Sequence, residues 1–267
     1  MYDTGHFSSL WKNMAEKLGF DVVYIQSDWR TGVDSNKIIE TLEQDKDQKI
    51  KAVCMVHNET STGVTSKIPS TIKNIKSLNH PAIIMVDTIS SLGSIDYYHD
   101  EWMVDVTVAG SQKGLMLPPG IAFNFVSKKA IEIATKNNYR RSYWDWGEMV
   151  KTNLSGFFPY TPSTNILFGL KEALRLIENE GLDNIFQRHE RHANATREAV
   201  KSWGIELLPI NEDEHSNSLT SLLFEENINA DNLRKIILEK FNTSLGTGLG
   251  TVSYTHLRAH ETDSYLV

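Results

Sequence analysis

Five apolar, β-branched runs constrain this chain most, and most of them fail to alternate with polar residues: 22–25, 52–57, 82–86, 104–108 and 121–126. A strand with one wet face reads apolar, polar, apolar. Continuous apolar strands suit a parallel or mostly parallel sheet, covered on both faces by crossover helices. Helical periodicity fills the intervals. Residues 8–18 stop at Gly19, a residue suited to the left-handed position after a helix. Ser35 can cap a helix through Gln44. Ile68, Ile72, Ile75 and Leu78 form one stripe with Pro69 in its first turn, and 128–136 forms another helix. The alternation predicts a layered α/β domain.

Residues 138–164 break this rhythm. They hold Tyr139, Tyr143, Trp144, Trp146, Phe157, Phe158 and Tyr160 with little periodicity, which suits a loop facing a substrate, a second subunit or the core. A long helix follows, with Ile166, Leu170, Leu174 and Ile177 on one face and Gly181 as its stop. A second helix runs over 182–203. Strands at 205–208 and 219–224 and a helix over 230–241 then predict a smaller α/β domain. The division is 1–179 for a large domain, 180–250 for a small one and 251–267 for a tail.

Charge narrows the function classes. Twenty-seven Lys and Arg against 34 Asp and Glu give −7, with no long basic run, which disfavours nucleic-acid binding. One cysteine, Cys54, excludes an internal disulfide framework and any multi-cysteine zinc site, and fits a reducing, cytoplasmic setting. No apolar run reaches the length of a membrane span, and residues 1–7 do not resemble a signal peptide.

Two windows stand out. Between 106 and 126 the only charged residue is Lys113, and between 81 and 95 it is Asp87. A lone ionisable group in an apolar setting is costly to bury unless it is paired or used. Both follow predicted strands, at the edge where open α/β sheets bind ligands. A buried lysine can present a neutral amine for a Schiff base, and a buried carboxylate can hold the nitrogen of a pyridine ring. Lys113 and Asp87 are therefore expected in one pocket. The plainer alternative is that Lys113 snorkels and Asp87 caps a turn.

Three blocks sharpen this choice: Val56-His57-Asn58-Glu59-Thr60-Ser61-Thr62-Gly63-Val64, Val86-Asp87-Thr88-Ile89-Ser90-Ser91-Leu92-Gly93, and Ala109-Gly110-Ser111-Gln112-Lys113-Gly114 through Pro118-Pro119-Gly120. In this order they resemble the class V pyridoxal-phosphate enzymes of fold type I, nearest to serine–glyoxylate and alanine–glyoxylate aminotransferases. Phe157-Phe158-Pro159-Tyr160-Thr161-Pro162 and the segment from Asn242 to Gly250 strengthen the likeness, which covers about residues 5–250.

The resemblance implies a mostly parallel sheet flanked by helices, a smaller C-terminal α/β domain and pyridoxal 5′-phosphate as cofactor. It implies amino-acid and 2-oxo-acid substrates and a homodimer. By the same likeness Lys113 forms the Schiff base and moves the proton, and Asp87 partners the pyridinium nitrogen. Thr60 lies near the ring hydroxyl, Ile89 and Phe7 cover the two ring faces, and Gln112 contacts the phosphate. Thr161 reaches the neighbouring subunit's phosphate, so 157–161 should lie away from its own Lys113. The implied reaction moves an amino group from serine, or alanine, to glyoxylate. A different amino donor, or an inactive fragment of such an enzyme, stays open.

Some features point elsewhere. His189-Glu190-Arg191-His192 lacks the H-E-x-x-H zinc spacing and reads as a solvated face. Gly246-x-Gly248-x-Gly250 is a weak dinucleotide fingerprint. His57 reads as a satisfied buried histidine. Cys54, inside a strand, is a poor sulfur-transfer nucleophile, which disfavours the sister desulfurases. Against the family pattern, an upstream glycine-rich phosphate turn and a downstream carboxylate-binding arginine are expected to be missing. Residues 251–267 resemble translated adaptor sequence, so Arg258 is not carried over as that arginine. This tail is expected to pack poorly.

Overall fold

A computed structural model describes residues 1–137, 141–225, 227–249 and, for the backbone, 256–260. Its first sheet contains β1 (Ala52–Val56), β4 (Ile83–Asp87), β5 (Val106–Gly110) and β6 (Ala122–Val126), in the order β1-β4-β5-β6. β1 and β5 both run parallel to β4, with Val56 opposite Asp87 and Asp87 opposite Val108. β6 is antiparallel. Because three strands run the same way, the segments leaving β1, β4 and β5 share one carboxyl edge.

Helices α1 (His6–Lys17), α2 (Ser35–Gln44), α3 (Ile68–Ser77) and α4 (Lys128–Lys136) surround this sheet. Ile38 and Leu42 of α2 and Ile68, Ile72 and Ile75 of α3 pack on Val53, Met55, Ile84 and Val86, forming the larger core. The predicted α3 stripe thus faces the sheet. The N-cap of α2 is Asp34, whose carboxylate accepts from Asn36 N at 2.9 Å, one residue before the expected Ser35. Gly19 has φ +84° beyond α1, as a helix stop requires.

The predicted strand at 22–25 is corrected to a single parallel bridge, Ile25 with Tyr2. Val23 is exposed, so this run lacks the second covered face a buried strand needs. The excursion contains a short helix, α5 (Trp146–Asn153), capped by Asp145, which accepts from Gly147 N and Glu148 N. None of its side chains is buried, which explains its weak periodicity. Tyr139 lies outside the described residues.

Then come α6 (Thr164–Glu180) and α7 (Leu182–Ser202), and a second sheet in the order β7-β8-β10-β9. Its strands are β7 (Glu206–Leu207), β8 (Leu219–Leu223), β9 (Gly246–Thr247) and β10 (His256–His260). With α8 (Ala230–Phe241) they enclose a separate core of Val200, Leu207, Leu222, Phe224 and Ala230. β10 pairs antiparallel with β8 and β9; Gly250 and the rest of the tail, 251–255 and 261–267, lie outside the described residues. Among the described residues, no helix is long and apolar enough to cross a membrane.

Candidate functional site

The carboxyl edge of the first sheet gathers the three sequence blocks. After β1 comes a two-strand hairpin, β2 (Asn58–Glu59) with β3 (Val64–Thr65). Asn58 ties the edge together. Its side-chain amide donates to Ser90 Oγ at 2.9 Å and to Ser218 Oγ at 3.0 Å, and Ser90 Oγ donates back to Asn58 O at 2.8 Å. This knot joins the segments after β1 and β4 to the second sheet. Thr60 is buried beside it.

Asp87 ends β4 and is half-buried. Its Oδ1 accepts from Ile89 N at 2.8 Å, an interaction that turns the chain and sets the half-buried Ile89 beside it. Burial pushes the Asp87 carboxyl up to about 6; the Ile89 amide opposes this and the charge of Glu59 adds to it.

Lys113 sits in the connection from β5 to β6. Ser111, fully buried, closes that loop: its backbone N–H donates to Ile121 O, its O accepts from Leu117 N, and its hydroxyl donates to Pro118 O at 2.7 Å. A turn closed by Met116 N to Lys113 O, 2.8 Å, presents the lysine, with Met116 in the left-handed region at φ +57°. Leu115 and Leu117 anchor this turn on Ala173, Ile177 and Ile185 of α6 and α7. Lys113 is half-buried, and its amine has no hydrogen-bond or ion-pair partner among the described residues.

Two glycines bring the Asp87 and Lys113 loops into backbone contact. A Cβ on Gly114 would lie 2.2 Å from Leu92 O, and one on Gly93, at φ +80°, would lie 3.1 Å from Gly114 O. Gly114→Ala is therefore expected to lower stability by about 1–3 kcal/mol, because backbone must move to admit the methyl group. An unchanged urea midpoint would contradict this close approach.

Lys113 lines a cleft of about 400 Å³ between this turn and α6 and α7. Asp87 is not among its walls, so the two residues share the sheet edge and touching loops but not that cleft. The solvated-face reading of 189–192 is corrected for one residue. His192 is exposed, but His189 is 5% exposed and lines the cleft with Lys113. Its signal was the buried stripe Ile185, His189, Ala193 and Arg197, spaced by four along α7. Burial and neighbouring Arg188 push His189 down to about 4.

Of the other predicted site residues, Phe7 is half-buried in the first turn of α1, where its amide donates to Glu59 Oε1 at 3.2 Å. Gln112 is exposed beside Gly110, and Thr161 is exposed and absent from the cleft walls. His57 is buried, within 2.9 Å of Ser91 Oγ through Nδ1, and pushed down to about 4 by burial. Cys54 is buried and its thiol is pushed up to about 11, which leaves it inert as a nucleophile near neutral pH. Glu59, Asn58 and Ser90 went unnoticed as edge-building residues. The available signal was a carboxylate and an amide inside an otherwise hydroxyl-rich turn.

Known proteins match this architecture. The sequence signature of the class V aminotransferases matches residues 1–263. The serine–glyoxylate aminotransferase of Methylorubrum extorquens is 44% identical over 254 residues, covering 93% of this chain and 63% of that protein. The L-aspartate–glyoxylate aminotransferase of Paracoccus denitrificans is 38% identical over 249 residues, with the same coverage of 93% and 63%. Alanine–glyoxylate aminotransferase from Nostoc sp. superposes with a TM-score of 0.86 at 26% identity, covering 98% of this chain and 69% of that one. The chain thus spans about 63% of the length of these curated relatives.

Proposed function

The chain belongs to the class V aminotransferases, and we propose that it moves an amino group from serine, or alanine, to glyoxylate with pyridoxal 5′-phosphate as cofactor. The observation that carries this reading is the meeting of three segments at one sheet edge. They bring an amine at Lys113 that has no partner among the described residues, a carboxyl at Asp87 pushed up to about 6, and a buried hydroxyl at Thr60.

These donors suit the cofactor's chemistry. In this reading Lys113 holds it covalently, Asp87 meets its ring nitrogen, and Thr60 lies by its ring hydroxyl. Phe7 and Ile89 cover its faces, Gln112 contacts its phosphate, and Thr161 serves the site of a second copy. Bound pyridoxal phosphate supplies an electron sink for the carbon that loses a proton.

The chain's own work is then local. The Lys113 amine takes the proton from the Cα of the amino donor and returns it elsewhere. Asp87 holds the proton at the ring nitrogen, where a group titrating near 6 can share it. Apolar side chains on either side keep water from the reacting carbon. The homodimer in this reading is supported by exposed aromatic rings: Trp144 is 81% and Phe157 69% exposed in the excursion, and Phe168 is 75% exposed on α6, more apolar surface than a lone subunit usually presents.

The reaction itself is the test. With pyridoxal phosphate and glyoxylate present, serine should give glycine and hydroxypyruvate in equal amounts. Faster glycine formation from aspartate or alanine would reassign the donor. Glycine from none of the three would leave the fragment reading.

A further inference from the structure

Glu59 is the one site-edge carboxylate that the proposed reaction leaves without a task. It is fully buried, and no cation lies within ion-pair distance of it among the described residues. A buried, unpaired carboxylate is costly unless several donors replace its water. Here they do. Oε1 accepts from Phe7 N at 3.2 Å, from Ser61 N at 3.1 Å and from Ser61 Oγ at 2.6 Å, and Oε2 accepts from Ser8 N at 3.2 Å. Two of these donors are the second and third amides of α1, so the carboxylate also sits at the positive end of that helix.

The packing around it is close. Gly5, at φ +154°, has no room for a side chain: a Cβ there would lie 2.5 Å from Glu59 Cγ and 2.4 Å from Ser61 Oγ. The Ser61 hydroxyl also accepts from His6 N at 2.9 Å, which fixes the helix start a second time. The chain leading to Glu59 runs beside Asp87, since His57 N donates to Asp87 O at 2.9 Å. The titratable groups on the segments meeting at this edge include Asp3 and Tyr24 against Ser8, His6 on α1, His57 and Glu59 after β1, and Lys113 after β5. Of these, Glu59 is the one whose charge acts on the Asp87 carboxyl. An amide in its place would offer one acceptor oxygen to four donors and would carry no charge.

We propose that Glu59 is a positioning residue with two effects on the site: it anchors the first turn of α1, and with it Phe7, and its buried negative charge favours the proton at Asp87. The inference rests on the roles proposed above for Phe7 and Asp87. Its readouts do not need cofactor. A negative charge behind Asp87 would favour a proton anywhere between that carboxyl and a basic partner facing it.

The test is carboxyl titration by carbon NMR in cofactor-free protein, with the Asp87 signal identified by its loss in Asp87→Asn. Glu59→Gln should lower the Asp87 midpoint by about half a unit or more. Ser61→Ala, which removes the hydroxyl but keeps the Glu59 charge, should leave it in place. Glu59→Asp keeps the charge on a shorter arm. It should hold the midpoint while speeding hydrogen exchange at the Phe7 and Ser8 amides by about tenfold.

An unmoved midpoint in Glu59→Gln, or an equal fall in Ser61→Ala, would overturn the electrostatic half. Unchanged exchange in Glu59→Asp would overturn the anchoring half, and this variant still decides if Glu59→Gln does not fold. Failure of the cofactor reading looks different: Asp87→Asn would then bind pyridoxal phosphate as tightly as the parent chain, with the Glu59 effects intact.

Discussion

Lys113→Ala is expected to abolish covalent capture of pyridoxal phosphate and to lower amino transfer by roughly 10³-fold or more, within the range for losing a general base that is also the nucleophile. Borohydride reduction followed by peptide mass measurement reads the first effect. The parent chain should carry the label on Lys113, and the variant on no lysine. The fold should tolerate the change. The amine has no hydrogen-bond partner among the described residues, and the turn is held instead by Met116 N to Lys113 O and by the buried Leu115 and Leu117. Stability should therefore stay within about 0.5 kcal/mol of the parent. Lys113→Arg should fail in the same way, because a guanidinium stays protonated and cannot act as the amine nucleophile. Label on another lysine, or undiminished capture in the alanine variant, would overturn the assignment.

Much of the scaffold could be read from local pattern. The predicted bounds of α4 and α8 coincide with the observed helices, and α2 differs only in its cap. These helices carry strong stripes and clear stop residues, so their local signals agree with the tertiary answer. The failures share a cause. Residues 22–25 have strand-like composition, but a strand needs a ladder of paired residues and this run makes only the isolated bridge of Ile25 to Tyr2 among the described residues. α5 buries none of its side chains, so no stripe announced it. β6 was read as buried and is mostly exposed, since it is the antiparallel edge of its sheet.

The same division holds at the site. Lys113 and Asp87 stand out as candidates because each is alone in an otherwise uncharged window. Glu59 does not, since its meaning depends on α1 arriving from over fifty positions earlier. His189 was misread because charged neighbours at 188, 190 and 191 hid a residue whose spacing from Ile185 and Ala193 turns it inward. Sequence windows report neighbours along the chain. Burial of a polar side chain is decided by neighbours across the fold.

Those buried polar groups make a further large effect: the protein should lose stability on mild acidification. His57 and His189 are 3% and 5% exposed, and burial holds both imidazoles neutral down to about 4. In the unfolded chain each takes a proton near its ordinary 6.5. Between those limits the unfolded state binds more protons, so stability is present above 6.5 and is lost as the pH falls toward 4. Each histidine contributes ~3 kcal/mol over the whole window and ~2 kcal/mol by pH 5. Asp87 acts in the opposite sense. Its carboxyl is pushed up to about 6 in the fold, so protonation below that value favours the folded state and recovers ~1 kcal/mol by pH 5. His99 and His215, both held down by burial, add to the histidine side. The net expectation is a fall of ~2–3 kcal/mol in unfolding free energy between pH 7 and pH 5, read from urea midpoints at constant ionic strength. His57→Gln and His189→Gln, whatever each costs at pH 7, should each flatten that fall by ~2 kcal/mol, since neither replacement titrates. Asp87→Asn should steepen it. Stability that is level or rising from pH 7 to pH 5 would mean that these imidazoles take up protons inside the fold, and that the burial assigned to them is wrong.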